Sequence, residues 1–391
     1  MNWWTLVWLD LKAIVSDKAI AITLFGGVLF YSVLYPLPYL HEVPTRQAIV
    51  VVDLDRSSLS RELIRHANAS PKLEVVGTVG AIPDAQAWIA LPRDGIQAHG
   101  LLVIPEHFSR DIKLGKGATL AIGGDASYFL VYSAIAEGLV DVGMDFATEL
   151  KWQALTSRGS NPVAADMQLN PLDINSVPAF NLSLGYTPYV VPGLFLLILQ
   201  QTLLVGTGIL GAGQWRQRGY WSQVSPLMLL GCRVLAFMLI YGIFSAYYVG
   251  WCYYWYGANL MASMTEIGLL MLPFLLATSL VGVALSALFT RRELPTQIYL
   301  LSSMPILFAS GFVWPLALIP QTLVWLSQVF PVTPVIMGML EMNQMGASWQ
   351  QILPYWLHLW LLVAIFAPLA WWGIRHHRVM LDNTASPDRE P

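Results

Sequence analysis

The sequence predicts a mainly α-helical polytopic membrane protein, with six transmembrane helices and an inserted extracytoplasmic α/β domain. Composition supports the first part, because 56% of the 391 residues are hydrophobic and only 12% are charged. Soluble domains carry about 25% charged residues. The charge is also unevenly placed, since 16 of the 24 acidic residues lie between His41 and Gly185. A polar domain is therefore expected inside a membrane protein.

The first 40 residues contain two different helical patterns. Residues 1–18 place Trp4, Trp8 and Leu11 at helical spacing among charged residues, which is typical of an amphipathic interfacial helix. Residues 19–40 are the expected first transmembrane helix, because an uncharged stretch of about 20 residues can cross a hydrocarbon core about 30 Å thick. Pro36 and Pro38 end it.

Residues 41–185 alternate between strand-like and helix-like patterns. The runs "AIVVVDLD" at Ala48 and "GLLVI" at Gly100 are short and apolar, as buried strands are. A serine-led helical pattern follows the first run, and a long helical pattern covers Tyr128–Ser157. Alternating strands and helices predict a small α/β domain.

Residues 186–374 contain the expected transmembrane helices 2–6. Their predicted bounds are Tyr186–Ala212, Leu227–Tyr256, Ile267–Phe289, Gln297–Val313 and Ile352–Ile374. Small residues let helices approach closely in membranes, and the second span carries four of them: Gly206, Gly208, Gly211 and Gly213. The aromatic cluster that follows Tyr247 is typical of an interfacial belt. Residues 375–391 are the expected tail.

The arginines predict the orientation of these spans. One side of the six-span map holds the arginines of the membrane part: Arg216, Arg218, Arg233, Arg291, Arg292, Arg375 and Arg378. The short loops Gly257–Thr265 and Trp314–Gln351, on the other side, contain no Lys or Arg. Because cytoplasmic loops carry the excess of Lys and Arg, both termini are expected in the cytoplasm. Residues 41–185 are expected to face out.

The stretch "SGFVWPLALIPQTLVWLSQVFPVTP", residues 310–334, is apolar but contains four prolines. Proline cannot donate a backbone hydrogen bond, so this stretch cannot form one continuous span. Broken backbone is tolerated at membrane depth only where protein or a water-filled cavity covers it. We therefore predict a re-entrant segment of two half-helices that acts as an outer gate. A plain interfacial loop is the alternative.

The sequence offers no catalytic, cofactor-binding or metal-binding residues. The nearest match to a phosphate-binding loop, "LGKGAT" at Leu114–Thr119, has the wrong spacing. A net charge of −3 gives no reason to expect a nucleic-acid partner. Cys232 and Cys252 are expected to be small buried apolar residues. Arg233 lies near the cytoplasmic end of its span and is expected to snorkel.

The proline-rich segment carries a resemblance to a known family. The matching pattern is S-G-x-x-aromatic-P, a second proline, an L-x-x-L-S run and P-x-T, formed by Ser310, Gly311, Trp314, Pro315, Pro320, Leu323, Leu326, Ser327, Pro331 and Thr333. This pattern resembles the outer re-entrant segment of the type-two ABC exporter permeases. The strings "VVDLDRSSLSREL" and "LLVIPEHFSRDIKLGKGATLAIGGDAS" are similar to the large periplasmic domain found in one branch of that family.

The resemblance implies a permease half that works beside a second, identical or homologous half in a bacterial inner membrane. Separate ABC ATPase subunits would bind ATP and Mg²⁺, so the chain itself would not be an enzyme. The resemblance also implies a periplasmic adaptor protein and an outer-membrane channel as partners. The exported substrate would be amphipathic or hydrophobic, such as a drug or a lipid-like molecule.

The resemblance also implies where function resides. The family's first cytoplasmic loop commonly reads E-R-E-x-G-T and is followed by S-P, and here residues 213–226 end in "WRQRGYWSQVSP". Contact with the ATPase is therefore expected at Arg216, Arg218, Gly219, Tyr220 and Trp221, although Trp215 and Gln217 stand where the family has acidic residues. The expected outer gate is Gly311, Trp314, Pro315, Pro320, Trp325 and Pro331. The candidate substrate path is Gln200, Gln201 and Met304.

Two other functions compete with this hypothesis. An ion-coupled secondary transporter usually needs acidic or histidine residues near the middle of the membrane, and the predicted spans show none. A membrane-anchored receptor or enzyme would act through its outer domain. Six spans exceed what an anchor needs, and the outer domain shows no catalytic motif.

Overall fold

A computed structural model describes residues 2–39, 45–93, 95–170, 180, 186–215 and 217–384. The chain divides into two compact units. One unit comprises Val43–Val177, and the other comprises Met1–Glu42 together with Pro178–Pro391. We call them the sheet unit and the membrane unit.

The sheet unit is built on four strands in the order β2-β1-β3-β4. The strands are β1 (Gln47–Asp53), β2 (Leu73–Val79), β3 (Gly100–Ile104) and β4 (Ala121–Gly124). Strand β1 pairs in parallel with both β2 and β3, and β4 pairs antiparallel with β3. A central strand with helices on both faces is apolar along its whole length, which explains the run of Ile and Val in β1.

Helices cover both faces of this sheet. They are α3 (Ser58–Ala69), α4 (Ile82–Ala90), α5 (Phe108–Lys113), α6 (Phe129–Ser157) and α7 (Pro162–Leu169). Ile49 and Val51 point into a core formed with α3, α5 and α6, whereas Val50 and Val52 point into a second core that includes Ala85 of α4. The alternation of side chains along β1 therefore serves two cores.

The membrane unit begins with a sharp bend. Helix α1 (Trp3–Ser16) meets α2 (Lys18–Leu34) at 78°. Trp4 and Trp8 of α1 are exposed, and the opposite face of α1 is buried, including Leu6 and Ile14. Trp4 and Trp8, two residues of the face predicted for this helix, are therefore mostly uncovered by the described residues, as a face toward lipid would be.

The remaining helices of the membrane unit differ from the predicted spans in one region. Four are long and apolar enough to cross a membrane: α8 (Tyr186–Gln214), α9 (Pro226–Trp255), α10 (Met264–Ser286) and α14 (Trp349–Thr384). Helix α11 (Leu294–Ala309) is shorter. Helices α12 (Gln321–Ser327) and α13 (Val332–Gln344) form a second bent pair, at 92°, and counting each bent pair as one span gives up to six within the described residues.

Two predicted boundaries are wrong. The fifth span, predicted to reach Val313, ends at Ala309, because Gly311 adopts the left-handed conformation (φ 88°) that terminates helices. The stretch after Pro334, predicted as an outer loop, is helical as far as Gln344. Pro331 directly precedes this helix, where a missing N–H does no harm.

Helix α8 lies at the centre of the membrane unit, and its most apolar stretch is fully buried. The predicted close approach at its glycines is confirmed. A Cβ at Gly206 would lie 2.6 Å from the Leu24 side chain, at Gly208 2.6 Å from Pro295, and at Gly211 2.4 Å from Ser286 Oγ. Helix α8 therefore touches α2, α11 and α10 through positions without side chains.

The aromatic cluster at the end of α9 has two roles. Trp251, Tyr254 and Trp255 are exposed, as an interfacial belt requires. Tyr248 is buried, and its hydroxyl donates to the Val28 carbonyl at 2.8 Å. The Tyr256 hydroxyl donates to the Ser32 carbonyl at 2.8 Å. Part of the predicted belt thus fastens α9 to α2.

Candidate functional site

The loop between α8 and α9, residues 213–226, is held against the ends of α10 and α14. Trp215 is buried, donates from Nε1 to Ser286 Oγ at 3.2 Å, and stacks on the His377 ring with 5.6 Å between centroids. Arg378 Nη1 donates to the Val224 carbonyl at 2.5 Å. The last helix therefore fixes both sides of this loop.

The five predicted coupling residues have different environments. Arg216 lies outside the described residues. Arg218 is exposed, and Trp221 is half-buried with its Nε1 donating to the Gln217 carbonyl at 3.0 Å. The Trp221 ring covers Gly219 so closely that a Cβ there would lie 2.5 Å from it. Tyr220 starts a single 3-10 turn, Tyr220–Ser222, and points inward.

Tyr220 joins a buried polar network beneath the loop. Its hydroxyl donates to Asp10 Oδ1 at 2.5 Å and accepts from Gln214 Nε2 at 3.3 Å. Arg233 Nη2 lies 3.4 Å from Asp10 Oδ1 and also donates to Gln214 Oε1. Burial, followed by the negative charge of Asp10, raises the pKa of Tyr220. The Tyr220 hydroxyl therefore stays protonated and remains a donor to the carboxylate.

The prediction that Arg233 snorkels is wrong. Arg233 is 0% exposed, and its guanidinium also lies 5.3 Å from the centroid of the Trp215 ring. A carboxylate within reach offsets part of the cost of burying the arginine, so the side chain need not extend to the membrane surface. That carboxylate belongs to Asp10 in α1, which is also 0% exposed. One acidic residue among the apolar positions of α1 was the signal in the sequence that sequence reasoning missed.

The segment after α11 is anchored by Phe312. Ser310 Oγ accepts from the Phe312 N–H at 3.3 Å. The Phe312 ring is buried, lies against Gly193 of α8 and stacks on Tyr189 with 5.1 Å between centroids. The Tyr189 hydroxyl donates to the Phe312 carbonyl. Gly311 reverses the chain before this anchor, and the adjacent Leu316 side chain leaves no room for a Cβ there.

The two half-helices α12 and α13 are held at their junction. Thr333 Oγ1 donates to the Ser327 carbonyl at 2.8 Å, which closes the turn between them. The Val332 N–H at the start of α13 donates to Gln200 Oε1 at 2.7 Å, so an otherwise unpaired helix-start donor is satisfied. His358 Nε2 of α14 lies 2.9 Å from the Gln328 carbonyl. This bent pair is thus fastened to both α8 and α14.

The predicted gate residues differ in their exposure to solvent. Trp314 is 55% exposed and Trp325 is 67% exposed, and Pro315 and Pro320 are also exposed. Pro331 is buried at the start of α13. Residues 313–318 and most of α12 therefore present an apolar surface that no described part of the chain covers.

Helices α2, α8 and α11 enclose a cavity of about 440 Å³. Its lining is mostly apolar and includes Ile22, Phe30 and Leu300, with a few polar groups. Gln201 is one of them. It is 5% exposed, and neither its amide nitrogen nor its amide oxygen has a hydrogen-bond partner. A buried amide without a partner is expensive to maintain, so Gln201 would gain a hydrogen bond from any polar group that reached it.

The three predicted path residues are separated by the structure. Gln201 lines the cavity, whereas Gln200 binds the start of α13 through its oxygen. Met304 is exposed and is not part of the cavity lining. Adjacent residues of a helix point in directions about 100° apart, which is why the glutamine pair cannot share one role.

A second, polar cavity of about 750 Å³ adjoins the first, and Thr296 lines both. Its lining includes an ion pair between Arg292 and Asp17, together with Lys18 and Glu293. Charged groups of both signs therefore lie next to an apolar cavity.

The loop and the Phe312 anchor lie at opposite ends of α8. Gly193 is near its start and Trp215 follows its end, and a helix between these positions is about 33 Å long at about 1.5 Å per residue. A hydrocarbon core is about 30 Å thick. The two candidate sites are therefore separated by about one membrane thickness.

Comparison with known proteins gives one finding. A family model described as "ABC-2 family transporter protein" matches residues 18–372. No curated protein matches the chain.

Proposed function

Because the chain belongs to the ABC-2 family of transporter proteins, we propose that it is the permease half of an exporter for an amphipathic or hydrophobic molecule. Proteins of this family are membrane subunits of ABC transporters, and partner subunits generally supply the ATPase. The finer parts of the proposal concern the substrate, the direction of transport and the residues that act.

The observation that carries the substrate proposal is the pair of adjoining cavities. The apolar cavity offers about 440 Å³ with one unsatisfied amide, Gln201, and the polar cavity beside it contains Asp17, Lys18 and Arg292. Ligand pockets of about 300–1,000 Å³ with a few placed polar groups suit drug-sized molecules. A molecule with an apolar body and a charged or dipolar end would fill both cavities. Drug-like or lipid-like amphiphiles have this form.

The proposed contact with the ATPase is the 213–226 loop. Arg218 is exposed and free to meet an acidic surface, while Trp215 and Tyr220 connect the loop to the buried side of the unit. In the proposed cycle, ATP and Mg²⁺ act only in the partner subunit. Movement of the loop would reach α1 and α9 through the Asp10–Arg233 pair.

The proposed outer gate is the segment from Gly311 to the end of α13. Its exposed apolar side chains, Trp314 and Trp325 among them, would close the path against a second permease half. An apolar constriction can exclude ions by dewetting alone. Hydrogen bonds of the segment with Gln200 and His358 support such a gate, because they connect it to α8 and α14.

The orientation and the further partners follow from the resemblance and the arginine distribution. We place the protein in a bacterial inner membrane with both termini in the cytoplasm and the sheet unit in the periplasm. There the sheet unit would meet an adaptor protein that leads to an outer-membrane channel. The ion-coupled and receptor alternatives do not account for an ABC transporter family match over residues 18–372.

The substrate proposal is tested by ATP hydrolysis in the complex of this chain with its ATPase subunit. Amphiphiles of graded chain length should stimulate turnover in the wild type. Gln201→Leu should raise the half-maximal amphiphile concentration about tenfold, the effect of about 1.4 kcal/mol, and leave unstimulated turnover unchanged. Met304→Leu is the control and should behave as the wild type. Equal stimulation of both variants would remove the cavity from the substrate path.

A further inference from the structure

Three side chains of the sheet unit converge at the junction of α3 and α6. Glu62 and His66 are one helical turn apart on α3, and Glu149 faces them from α6. The ligand-type atoms of all three lie within 4.8 Å of one another, and His66 Nε2 is 3.3 Å from Glu149 Oε2. Positions four apart on a helix share one face, so α3 directs two of the three groups to the same point.

The imidazole is held in place by the core beneath it. The buried Phe146 ring meets the His66 ring edge-on, with 5.2 Å between centroids. Glu62, His66 and Glu149 are all half-buried. The groups are therefore positioned by packing and still reachable from solvent.

The charge around this point is uncompensated on one side. Helix α6 carries a row of carboxylates four residues apart, formed by Glu137, Asp141, Asp145 and Glu149. Lys72 bridges the first two, at 2.9 Å and 3.0 Å. At the other end of the row the facing partner of Glu149 is His66. A cation bound there would neutralise several carboxylates at once.

We propose that Glu62, His66 and Glu149 bind a divalent transition-metal ion, with Zn²⁺ as the best fit. Imidazole together with carboxylate suits Zn²⁺ and its neighbours, whereas Ca²⁺ and Mg²⁺ prefer all-oxygen sites. Ligand atoms in a tetrahedral zinc site are about 3.4 Å apart, given bonds of about 2.0–2.1 Å. The 3.3 Å pair already meets this spacing, and the remaining separations, which lie within 4.8 Å, would shorten when the ion binds.

The fourth coordination position would face solvent. A cavity of about 320 Å³ lies beside His66 and is also lined by Lys72, Asp141 and Asp145, whereas Glu62 and Glu149 are not part of its lining. Such an ion would join α3 to α6, so its binding would stabilise the sheet unit.

The test uses the purified full-length chain in detergent, stripped of metal, with Zn²⁺ in calorimetry and Co²⁺ in absorption spectroscopy. We expect one saturable Zn²⁺ per chain beyond any background and a visible Co²⁺ spectrum. His66→Asn should abolish both, and Glu149→Gln should weaken binding at least tenfold. His107→Asn is the matched control, because His107 is an exposed histidine of the same unit whose left-handed backbone (φ 66°) suits asparagine.

The metal-free variants should unfold at the temperature of the metal-free wild type, which shows that the ligands and not the fold were changed. Binding of equal affinity and stoichiometry in the wild type and in His66→Asn would overturn the proposal. So would binding by the wild type at millimolar Zn²⁺ only. In either case His66 and Glu149 contact each other without a metal.

Discussion

At the scale of single residues, the Asp10–Arg233 pair is a contact that the sequence alone did not predict. Arg233 reads as an arginine near a span end, for which snorkelling is the ordinary solution. Its partner comes from α1, more than 200 positions earlier in the chain, and only the fold brings them together. The glutamine pair shows the opposite case: the sequence identified Gln200 and Gln201 as unusual, but their separate directions required the geometry.

We predict that Asp10→Leu alone destabilises the protein by about 3–5 kcal/mol, because it leaves the Arg233 charge buried without a negative charge beside it. Adding Arg233→Met to Asp10→Leu should recover most of this loss, since apolar groups of similar volume replace buried pairs well. Thermal unfolding in detergent, followed by tryptophan fluorescence, measures both variants.

The matched control is Asp17→Asn, which breaks the partly exposed ion pair with Arg292. Exposed pairs are worth about 0–1 kcal/mol, so its unfolding temperature should change little. If Asp10→Leu were as mild as Asp17→Asn, the buried network would not be a stabilising feature.

At the scale of elements, the four prolines of residues 310–334 predicted a broken segment, and the structure has one. The position of the break was not predictable in the same way. Prolines mark where a helix cannot continue, and Pro305 nevertheless lies inside α11. The actual end of α11 depends on the left-handed Gly311, and the seat of Phe312 depends on Gly193 in another helix. Both features depend on tertiary packing, because Leu316 lies against Gly311 and Phe312 lies against Gly193.

The packing of the Phe312 ring on Gly193 gives a prediction about the re-entrant segment. Gly193→Ala places a Cβ 2.3 Å from the Phe312 ring, so the ring must leave, and overpacking of this kind costs about 1–3 kcal/mol. Gly242→Ala is the control, because a Cβ at this α9 position has no atom within 4 Å. Thermal unfolding should separate the two: a loss for the first, and no loss or a small gain for the second. Equal changes in unfolding temperature for the two variants would contradict the packing of Phe312 on Gly193.

The gate itself is tested by accessibility. Cysteines at Leu316 and Leu323, in a background with Cys232 and Cys252 replaced by alanine, lie on exposed positions of the segment. In the complex with the ATPase subunit and a second half, we expect a membrane-impermeant thiol reagent to label both faster during ATP turnover than at rest. Equal rates in the two conditions would mean a static lid, with the gate deeper along α8.

At the scale of the whole molecule, the distribution of charge predicted a polar part inside a membrane protein, and the structure divides at residues 43 and 177. This division was visible because charge and hydropathy are properties of long stretches and average out local errors. Span boundaries depend on a few residues each, and there the prediction failed for the fifth span. The order of the four strands was beyond the sequence, since strand pairing joins distant segments.

The sheet unit should fold by itself. Residues 43–177 contain two apolar cores, one on each face of the sheet, built from residues of this unit alone. Expressed alone, this fragment should be monomeric in gel filtration and unfold in one cooperative urea transition. If the fragment were compact and bound a hydrophobic dye but showed no cooperative unfolding transition, a second copy or the membrane unit would be needed to complete its core.

The glycine contacts of α8 have a mechanical consequence. At Gly206, Gly208 and Gly211 the side chains of neighbouring helices lie directly against the backbone of α8, so a shift of α8 along its axis would push on α2, α11 and α10. Its two ends are engaged, by Trp215 at one and by Phe312 on Gly193 at the other. A rigid helix that is held at both ends transmits a displacement along its axis. A displacement applied at the loop would arrive about 33 Å away with little of its stroke absorbed on the way.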